Sequence, residues 1–157
     1  MELKYKKLHP DAFLKDASMP GDAGRDISFV SAELDKHGNI CYYTGIAIEL
    51  PEFQQPFTVF AAGLMKSSGS KHSLILANAM GVIDFGYRGE IIFKFKPVLS
   101  FDSDGEISFK PKRKFKKGEA VGQLIVMLAL DVKPVKVDKL SSTERESKGY
   151  GQASGNE

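Results

Sequence analysis

The chain has 157 residues, a formal net charge of +2, 42% hydrophobic residues and 27% charged residues. These values are typical of one soluble globular domain, and so small a charge does not favour nucleic acid or an anionic membrane as a partner. The single cysteine, Cys41, excludes an intrachain disulfide, and neither it nor the three histidines (His9, His37, His72) show the spacing of a zinc site.

The amino terminus mixes charged and apolar residues and has no apolar core of the kind found in signal peptides. The longest apolar stretch, residues 121–130, is interrupted by Gly122 and Gln123. It is also shorter than the roughly 20 apolar residues that span a bilayer. The sequence therefore predicts a soluble, intracellular, cytoplasmic protein without membrane contact.

Short strands are predicted along the chain, because apolar residues alternate with other residues at 46–50, 93–96 and 107–110. This alternation is expected of strands with one face in solvent. Residues 124–130 are apolar on both faces, as expected of a fully buried strand. Turn signals lie between these segments, at 20–22, 37–39, 102–105 and 117–118. Together they predict an all-β sandwich or barrel.

The carboxyl-terminal residues have a different composition. Residues 141–157 are mainly Ser, Glu, Lys and Gly, with Tyr150 as the one aromatic. Such a segment buries too little surface to offset its ordering entropy. We predict a β domain over residues 1–140 and a flexible arm over residues 141–157. The arm is either a frayed end or a segment that orders when its aromatic residue meets a ligand.

Residues 81–90, Gly-Val-Ile-Asp-Phe-Gly-Tyr-Arg-Gly-Glu, form the most specific segment. The pattern predicts a β-hairpin with a tight Phe-Gly turn and a second strand that starts near Glu90. One explanation is a plain turn in which Asp84 bonds to its own backbone. The segment also resembles the Gly-Val/Leu-Ile-Asp-x-x-Tyr-Arg/Gln-Gly hairpin at the active site of the trimeric, all-β dUTP diphosphatase (dUTPase) family.

Four other segments resemble the remaining motifs of that family, in the family's order. They are Ala-Gly-Arg-Asp at 23–26, Lys-Ser-Ser at 66–68, Gly-Glu-Ala-Val-Gly-Gln-Leu-Ile at 118–125 and a glycine-rich segment at 145–151. Each motif alone is weak, whereas five in order are specific. The resemblance covers about residues 3–151 and implies a jelly-roll-like, distorted β-barrel. It further implies a homotrimer whose three sites are built from neighbouring subunits.

The resemblance also implies a reaction, the hydrolysis of dUTP to dUMP and pyrophosphate. Asp84 would be the general base that activates the water attacking the α-phosphorus. Asn78 and the hairpin backbone at Gly81 would face the edge of uracil, where a wrong base leaves buried polar groups unpaired. Tyr87 would lie against the deoxyribose and exclude a 2′-hydroxyl. Ordinary structural roles, a turn cap for Asn78 and core packing for Tyr87, remain open.

By the same resemblance, a second group of residues would hold the triphosphate and close the site. Gln123 would contact the α-phosphate region, Arg145 the γ-phosphate as an arginine finger, and Tyr150 would stack on uracil. Lys66, Ser67 and Ser68 would bind phosphate oxygens. Mg²⁺ is the implied cofactor, bridging the phosphates and touching Asp26 through water. A strand residue, a turn residue and a solvated charge are the ordinary alternatives for Gln123, Asp26 and Arg145.

The sequence departs from the family pattern at several positions. Lys66 replaces an arginine, which loses the planar fork that grips phosphate. Gly86 replaces a second Asp of the hairpin, and Gly122 departs from the fourth motif. Gln152 and Ala153 lack the hydroxyls that are usual in the last motif, which affects the expected grip on the γ-phosphate.

Two alternative functions follow from these observations. One is a dCTP deaminase of the same fold, and the other is a dUTPase-like regulatory protein that binds nucleotide with impaired catalysis. Residues 97–118 are longer than expected and predict an extended hairpin that turns at 102–105. Its basic return, 110–117, could contact a nucleic acid or a protein partner. Solvated lysines that discourage edge pairing are the other explanation.

Overall fold

The structure is a computed structural model that describes residues 2–66, 72–98, 100–101, 104–108 and 114–147. The predictions for Ser67, Ser68 and Tyr150, and for the last motif beyond residue 147, lie outside these residues. No helix long and apolar enough to cross a membrane occurs in the described part of the chain.

The described residues form twelve β-strands and no helix. The strands are β1 (Lys4–Lys7), β2 (Arg25–Ser28), β3 (Ser31–Leu34), β4 (Ile40–Tyr43), β5 (Ile46–Glu49), β6 (Phe57–Leu64), β7 (Leu74–Leu76), β8 (Gly81–Ile83), β9 (Ile92–Pro97), β10 (Ser100–Phe101), β11 (Ile107–Ser108) and β12 (Ala120–Leu130).

Two four-stranded antiparallel sheets make up the body of the fold. Their strand orders are β2-β12-β6-β8 and β3-β4-β9-β7, and β1-β5 and β10-β11 form two further ladders. Distant strands are neighbours, as in the β2-β12 and β4-β9 pairs. The predicted all-β, jelly-roll-like fold is confirmed, with the described strands arranged in open sheets.

The core lies between the two large sheets and contains side chains from both. Tyr42 is its aromatic centre, 1% exposed, with edge-to-face contacts to three rings. The ring centroids of Phe29, Phe115 and Phe95 lie 4.8, 5.3 and 5.8 Å from that of Tyr42. Such pairs contribute about 0.5–1.5 kcal/mol each beyond the area they bury, so this cluster ties the sheets together.

The predicted alternation holds in β9 and fails in two other strands. Phe93 and Phe95 are 3% and 0% exposed, whereas the lysines between and after them are exposed. In β5 the outward Ala47 is also buried, because Arg88 and β1 line a recess beside it. Ile107 in β11 is 60% exposed, contrary to the expected inward face, since the short β10-β11 ladder pairs with neither large sheet.

The expectation of full burial for residues 124–130 is wrong, although the strand itself is confirmed as part of β12. Leu124 is 1% exposed, but Met127, Leu128 and Leu130 are 42%, 49% and 59% exposed. The reason lies in the pairing: β2 pairs β12 only as far as Leu124, while β6 pairs it as far as Leu130. The second half of β12 is therefore a sheet edge within one protomer.

The predicted hairpin at residues 81–90 is also wrong as a strand pairing. β8 pairs with β6, whereas β9 pairs with β4 and β7, so the two strands lie in different sheets. The tight turn is present, because the backbone N–H of Tyr87 donates to the carbonyl of Asp84 at 3.0 Å. Residues 84–91 thus form a connection between sheets, called here the crossing loop. The antiparallel β10-β11 pair agrees with the predicted hairpin of residues 97–118, whose residues 102–103 and 109–113 lie outside the described residues.

Candidate functional site

The far end of the crossing loop is fixed to the link between β4 and β5. The hydroxyl of Thr44 donates to the carbonyl of Ile91 at 2.7 Å, and the Ile91 N–H donates to the carbonyl of Ile46 at 2.9 Å. The N–H of Gly45 donates to the Glu90 carboxylate at 2.6 Å. These bonds join residues nearly fifty positions apart, so the loop is held at a definite place.

The near end of the loop is held by its own side chains. The Tyr87 hydroxyl donates to the Glu90 carbonyl at 3.0 Å, which folds the ring back over Gly89. A Cβ at Gly89 would lie 2.4 Å from that hydroxyl oxygen, so only glycine fits there. Arg88 donates to the carbonyls of Phe85 and Tyr87 at 2.7 and 3.0 Å. The turn that carries Asp84 is therefore preorganised, as a catalytic group requires.

A cleft of about 200 Å³ lies between the crossing loop and strands β6, β8 and β9. Its lining residues are Gly63, Leu76, Asn78, Gly81, Val82, Ile83, Tyr87, Glu90, Ile91, Ile92, Phe93 and Lys94. The structure thus places three predicted substrate-binding residues, Asn78, Gly81 and Tyr87, around one opening. Whole-ligand pockets usually measure about 300–1,000 Å³, so this cleft suits one part of a nucleotide.

Asp84 is not among the lining residues of this cleft, but it is exposed and directly follows Ile83, which is one of them. Asn78 does line the cleft, and a Cβ at Gly81 would come within 3.4 Å of the Asn78 side-chain nitrogen. The carbonyl of Asn78 accepts a bond from the N–H of Met80 at 2.6 Å, in a turn where Ala79 has φ +57°. The amide therefore lies at the cleft, and the carboxylate lies one residue beyond its lining.

Three other predicted residues, Asp26, Lys66 and Gln123, form a second group, called here the anion group. Gln123 lies opposite Asp26 in one ladder of β12 and opposite Leu64 in the other. The Lys66 ammonium lies 2.5 Å from the Asp26 carboxylate. A Cβ at Gly24 would lie 2.6 Å from the Gln123 side-chain oxygen, so this glycine makes room for the amide. Cation, amide and carboxylate converge at one end of the first sheet.

One protomer does not bring the anion group to Asp84. Asp84 follows Ile83, which lies opposite Ala61 of β6, whereas Gln123 lies opposite Leu64. Strand rise and strand spacing then separate the Cα atoms of Asp84 and Gln123 by on the order of 15 Å. At this separation the two side chains do not contact each other within one protomer, although both are predicted to act at the α-phosphate.

Arg145 is exposed and lies in a small turn near the end of the described chain. The Thr143 N–H donates to the Glu146 carboxylate at 2.8 Å, and the Glu146 N–H donates to the Thr143 hydroxyl at 3.1 Å. This reciprocal pair is a capping box. Arg145 does not line the cleft of its own protomer.

Two residues of the site were not predicted to have a role. Glu90 anchors the crossing loop on Gly45, and Phe93 lines the cleft although the alternation assigned it only to the core. No group of three or more His, Cys, Asp and Glu residues that could hold a metal occurs among the residues that the structure describes.

The fold and this site define an all-β protein with a cleft of about 200 Å³ beside the crossing loop and a separate anion group. The model of the dUTPase family matches residues 12–154. The deoxyuridine 5′-triphosphate nucleotidohydrolase of Alkaliphilus metalliredigens is 34% identical over 150 residues, covering 95% of this chain and 94% of that one. That of Clostridium acetobutylicum is 34% identical over 152 residues, covering 96% and 95%. The chain belongs to the dUTPase family.

Solved structures of phage enzymes share the fold. A point mutant of the Staphylococcus bacteriophage 80alpha dUTPase with dUpNHpp has a TM-score of 0.75 at 24% identity, covering 97% of this chain and 98% of that one. A mutant dUTPase of the S. aureus phage phi11, described with a structural Mg(II) ion, has a TM-score of 0.67 at 22% identity and covers 90% and 100%. At these identities the likeness concerns the fold.

Proposed function

We propose that the protein hydrolyses dUTP to dUMP and pyrophosphate at a site completed by more than one copy of the chain. The observation that carries this proposal is the cleft lined by Asn78, Gly81 and Tyr87, with Asp84 exposed directly after the lining residue Ile83. Membership of the dUTPase family supports the choice of substrate.

Uracil fits the hydrogen-bonding groups around the cleft. β8 is the last strand of its sheet, so the backbone groups on its free edge are available to a ligand. The Asn78 amide adds both a donor and an acceptor. Uracil presents an acceptor at position 4 and a donor at N3, and cytosine reverses both. The same groups would therefore leave cytosine unpaired, which is a strong basis for rejection.

Tyr87 supplies the selection for deoxyribose. Its ring lies over Gly89 and is fixed by the bond from its hydroxyl to Glu90, so it forms a rigid wall of the cleft. A sugar against this wall has no room for a 2′-hydroxyl, and UTP is excluded by contact. A glycine next to the tyrosine is what makes this arrangement possible.

Asp84 acts as the general base. Its carboxylate takes a proton from a water molecule, and the water oxygen attacks the α-phosphorus. The bond from that phosphorus to the oxygen bridging to the β-phosphate breaks, and pyrophosphate leaves. The rigid turn keeps the carboxylate within reach of the water, which is the geometric requirement for this role.

The triphosphate is held by the anion group of a neighbouring copy. Lys66 and Gln123, with Ser67 and Ser68, bind phosphate oxygens, and Arg145 and Tyr150 arrive on the arm of a further copy in a homotrimer. The separation of Asp84 from Gln123 within one protomer supports this arrangement. The exposed apolar edge of β12 supports it too, since large apolar surfaces of this kind mark contacts between chains.

Mg²⁺ fits the anion group through Asp26. In nucleotide enzymes this ion is usually held by one or two carboxylates together with phosphates and water. The Asp26 side chain keeps 27% of its surface exposed, so it can accept a bond from a hydrated ion. When bound, Mg²⁺ supplies charge neutralisation along the phosphates. Asp26 would hold the hydrated ion by accepting a hydrogen bond from one of its water molecules.

The test is pyrophosphate release from dUTP, UTP, dCTP and dTTP, each with Mg²⁺ and with chelator. We expect release from dUTP with Mg²⁺ and little from the other three. Asp84→Asn should lower turnover by about 10²–10⁴-fold, while binding of dUpNHpp stays close to that of the wild type. Equal turnover by this variant would refute the role of Asp84.

Two further measurements separate the alternative functions. Ammonia released from dCTP would identify a deaminase. Tight binding of dUpNHpp without any pyrophosphate from dUTP would identify a regulatory protein with impaired catalysis.

A further inference from the structure

We propose that Gly122 and Phe93 act as one unit that sets the depth of the base cleft, which makes Phe93 a positioning residue for the base. The inference rests on the proposed function, because it concerns the cleft to which uracil was assigned. It adds two residues that the sequence did not place in the site.

The packing of Phe93 requires a glycine at position 122. Phe93 belongs to β9, in the second sheet, and its ring reaches across to the first sheet. A Cβ at Gly122 would lie 2.2 Å from Cε1 and 2.5 Å from Cζ of this ring, well below the 3.0 Å that real Cβ atoms keep. A Cβ at Gly63, on the neighbouring strand, would meet the ring at 3.5 Å, an ordinary contact.

A methyl group at position 122 would push the ring towards the cleft. One flank of Phe93 is closed by Phe95, a ring 6.5 Å away that is 0% exposed. The cleft is the open volume beside Phe93, which is one of its lining residues. Protein interiors are packed too tightly to accommodate the displaced ring elsewhere. The displaced ring would therefore reduce the volume of the cleft that the base is proposed to occupy.

This packing explains why position 122 is a glycine. The β-bulge between Ala120 and Gly122 sets the direction of this backbone. An alanine at position 122 is incompatible with the observed position of the Phe93 ring. Gly122 and Phe93 therefore form a compensating pair, because the large ring fills the space that the small residue on β12 leaves open.

The experiment measures dUMP binding by calorimetry for Gly122→Ala, Phe93→Leu and the double variant. We expect Gly122→Ala to weaken binding about tenfold or more, and the double variant to bind within about threefold of the wild type. The affinity for deoxyuridine, which has no phosphate for Gln123 to hold, should fall by the same factor as that for dUMP. A loss that acted through the neighbouring Gln123 would weaken dUMP binding and leave deoxyuridine binding unchanged, which would overturn the pairing.

Gly38→Ala is the control for general destabilisation. Gly38 has φ +79° and lies in the turn between β3 and β4, so alanine there adds strain away from the cleft. We expect this control to lower the unfolding temperature and to leave dUMP binding unchanged.

Several results would overturn the pairing. Wild-type binding by Gly122→Ala would do so, and so would a double variant whose loss equals the product of the two single losses. If Gly122→Ala does not fold, the double variant decides: wild-type-like binding supports the pairing, and failure to fold or to bind overturns it. A wild-type chain that does not bind dUMP would instead refute the proposed function.

Discussion

Lys66 and Asp26 neutralise each other in the free protomer. Their charged atoms lie 2.5 Å apart, and the two side chains are 29% and 27% exposed. If Lys66 binds phosphate and Asp26 meets hydrated Mg²⁺, this ion pair must open when the nucleotide arrives. Lysine suits such an exchange, because its ammonium is a compact point charge on a long, rotatable chain.

Replacing Lys66 tests its contact with phosphate. Lys66→Ala should raise KM for dUTP about 10- to 100-fold, the effect of losing one charged hydrogen bond of about 1.5–3 kcal/mol. Lys66→Arg should stay close to the wild type, since it keeps the charge. Steady-state kinetics with saturating Mg²⁺ measures both, with Lys133→Ala as an exposed control. An unchanged KM for Lys66→Ala would show that Lys66 pairs with Asp26 and does not bind phosphate.

Local sequence could identify individual residues only where a motif marked them. Asn78, Gly81 and Tyr87 line one cleft, and Asp84 directly follows its lining residue Ile83. The contact of Phe93 with Gly122 could not be predicted, because it joins two sheets whose registers no local pattern determines. Alternation showed that Phe93 points inward and did not show what it touches.

The pairing of strands also could not be predicted from local sequence patterns. The bend at residues 84–87 was predicted correctly, since the Phe-Gly dipeptide and the flanking apolar residues mark a turn. The pairing of β8 with β6 was not predicted, because about twenty residues of chain separate the residues that pair. This difference matters for the site, since Asp84 lies in a connection between two sheets and not at the tip of a hairpin within one sheet.

The turn between β3 and β4 depends on one carboxylate. Asp35 accepts bonds at 2.9 Å from the side chain and the backbone N–H of Asn39, and another at 2.9 Å from the N–H of His37. These bonds, those from Asn39 first, lower the pKa of Asp35 to about 2. The unfolded value is about 3.9, so the folded state is favoured when Asp35 is ionised.

The pH dependence of stability should follow from this shift. A depressed folded pKa gives stability that is present above about pH 4 and is lost as pH falls towards about 2. Asp35→Ala should therefore lower the unfolding temperature at neutral pH and differ less from the wild type near pH 2. Thermal unfolding across this range measures it, with Asp138→Ala as an exposed control. Parallel curves for Asp35→Ala and the wild type would contradict the role of the ionised carboxylate.

The whole protomer leaves apolar surface open along the second half of β12 and beyond it. Val132, Val135, Val137 and Leu140 are each more than half exposed, like Leu130 before them. The sequence predicted burial for residues 124–130, because their pattern is that of a core strand. Within one chain that burial is absent, and the pattern is explained if another copy covers the surface, as the proposed homotrimer requires.

Removal of the arm tests whether its end belongs to the site. A chain that stops after Ser142 should lose most dUTP hydrolysis, since it lacks Arg145 and Tyr150. It should keep the unfolding temperature of the full chain, because the core lies between the two large sheets. Activity and thermal unfolding are measured on the same preparation. A shortened chain as active as the full one would show that the arm is a frayed end.

Mixing two inactive variants tests most directly whether Asp84 of one copy acts on phosphates held by another. Asp84→Asn and Gln123→Ala are each expected to be nearly inactive alone. Refolded together in equal amounts, they should recover about a quarter of wild-type activity, because one interface in four of a closed, randomly mixed assembly joins two intact halves. A mixture no more active than the separate variants would contradict a site shared between copies.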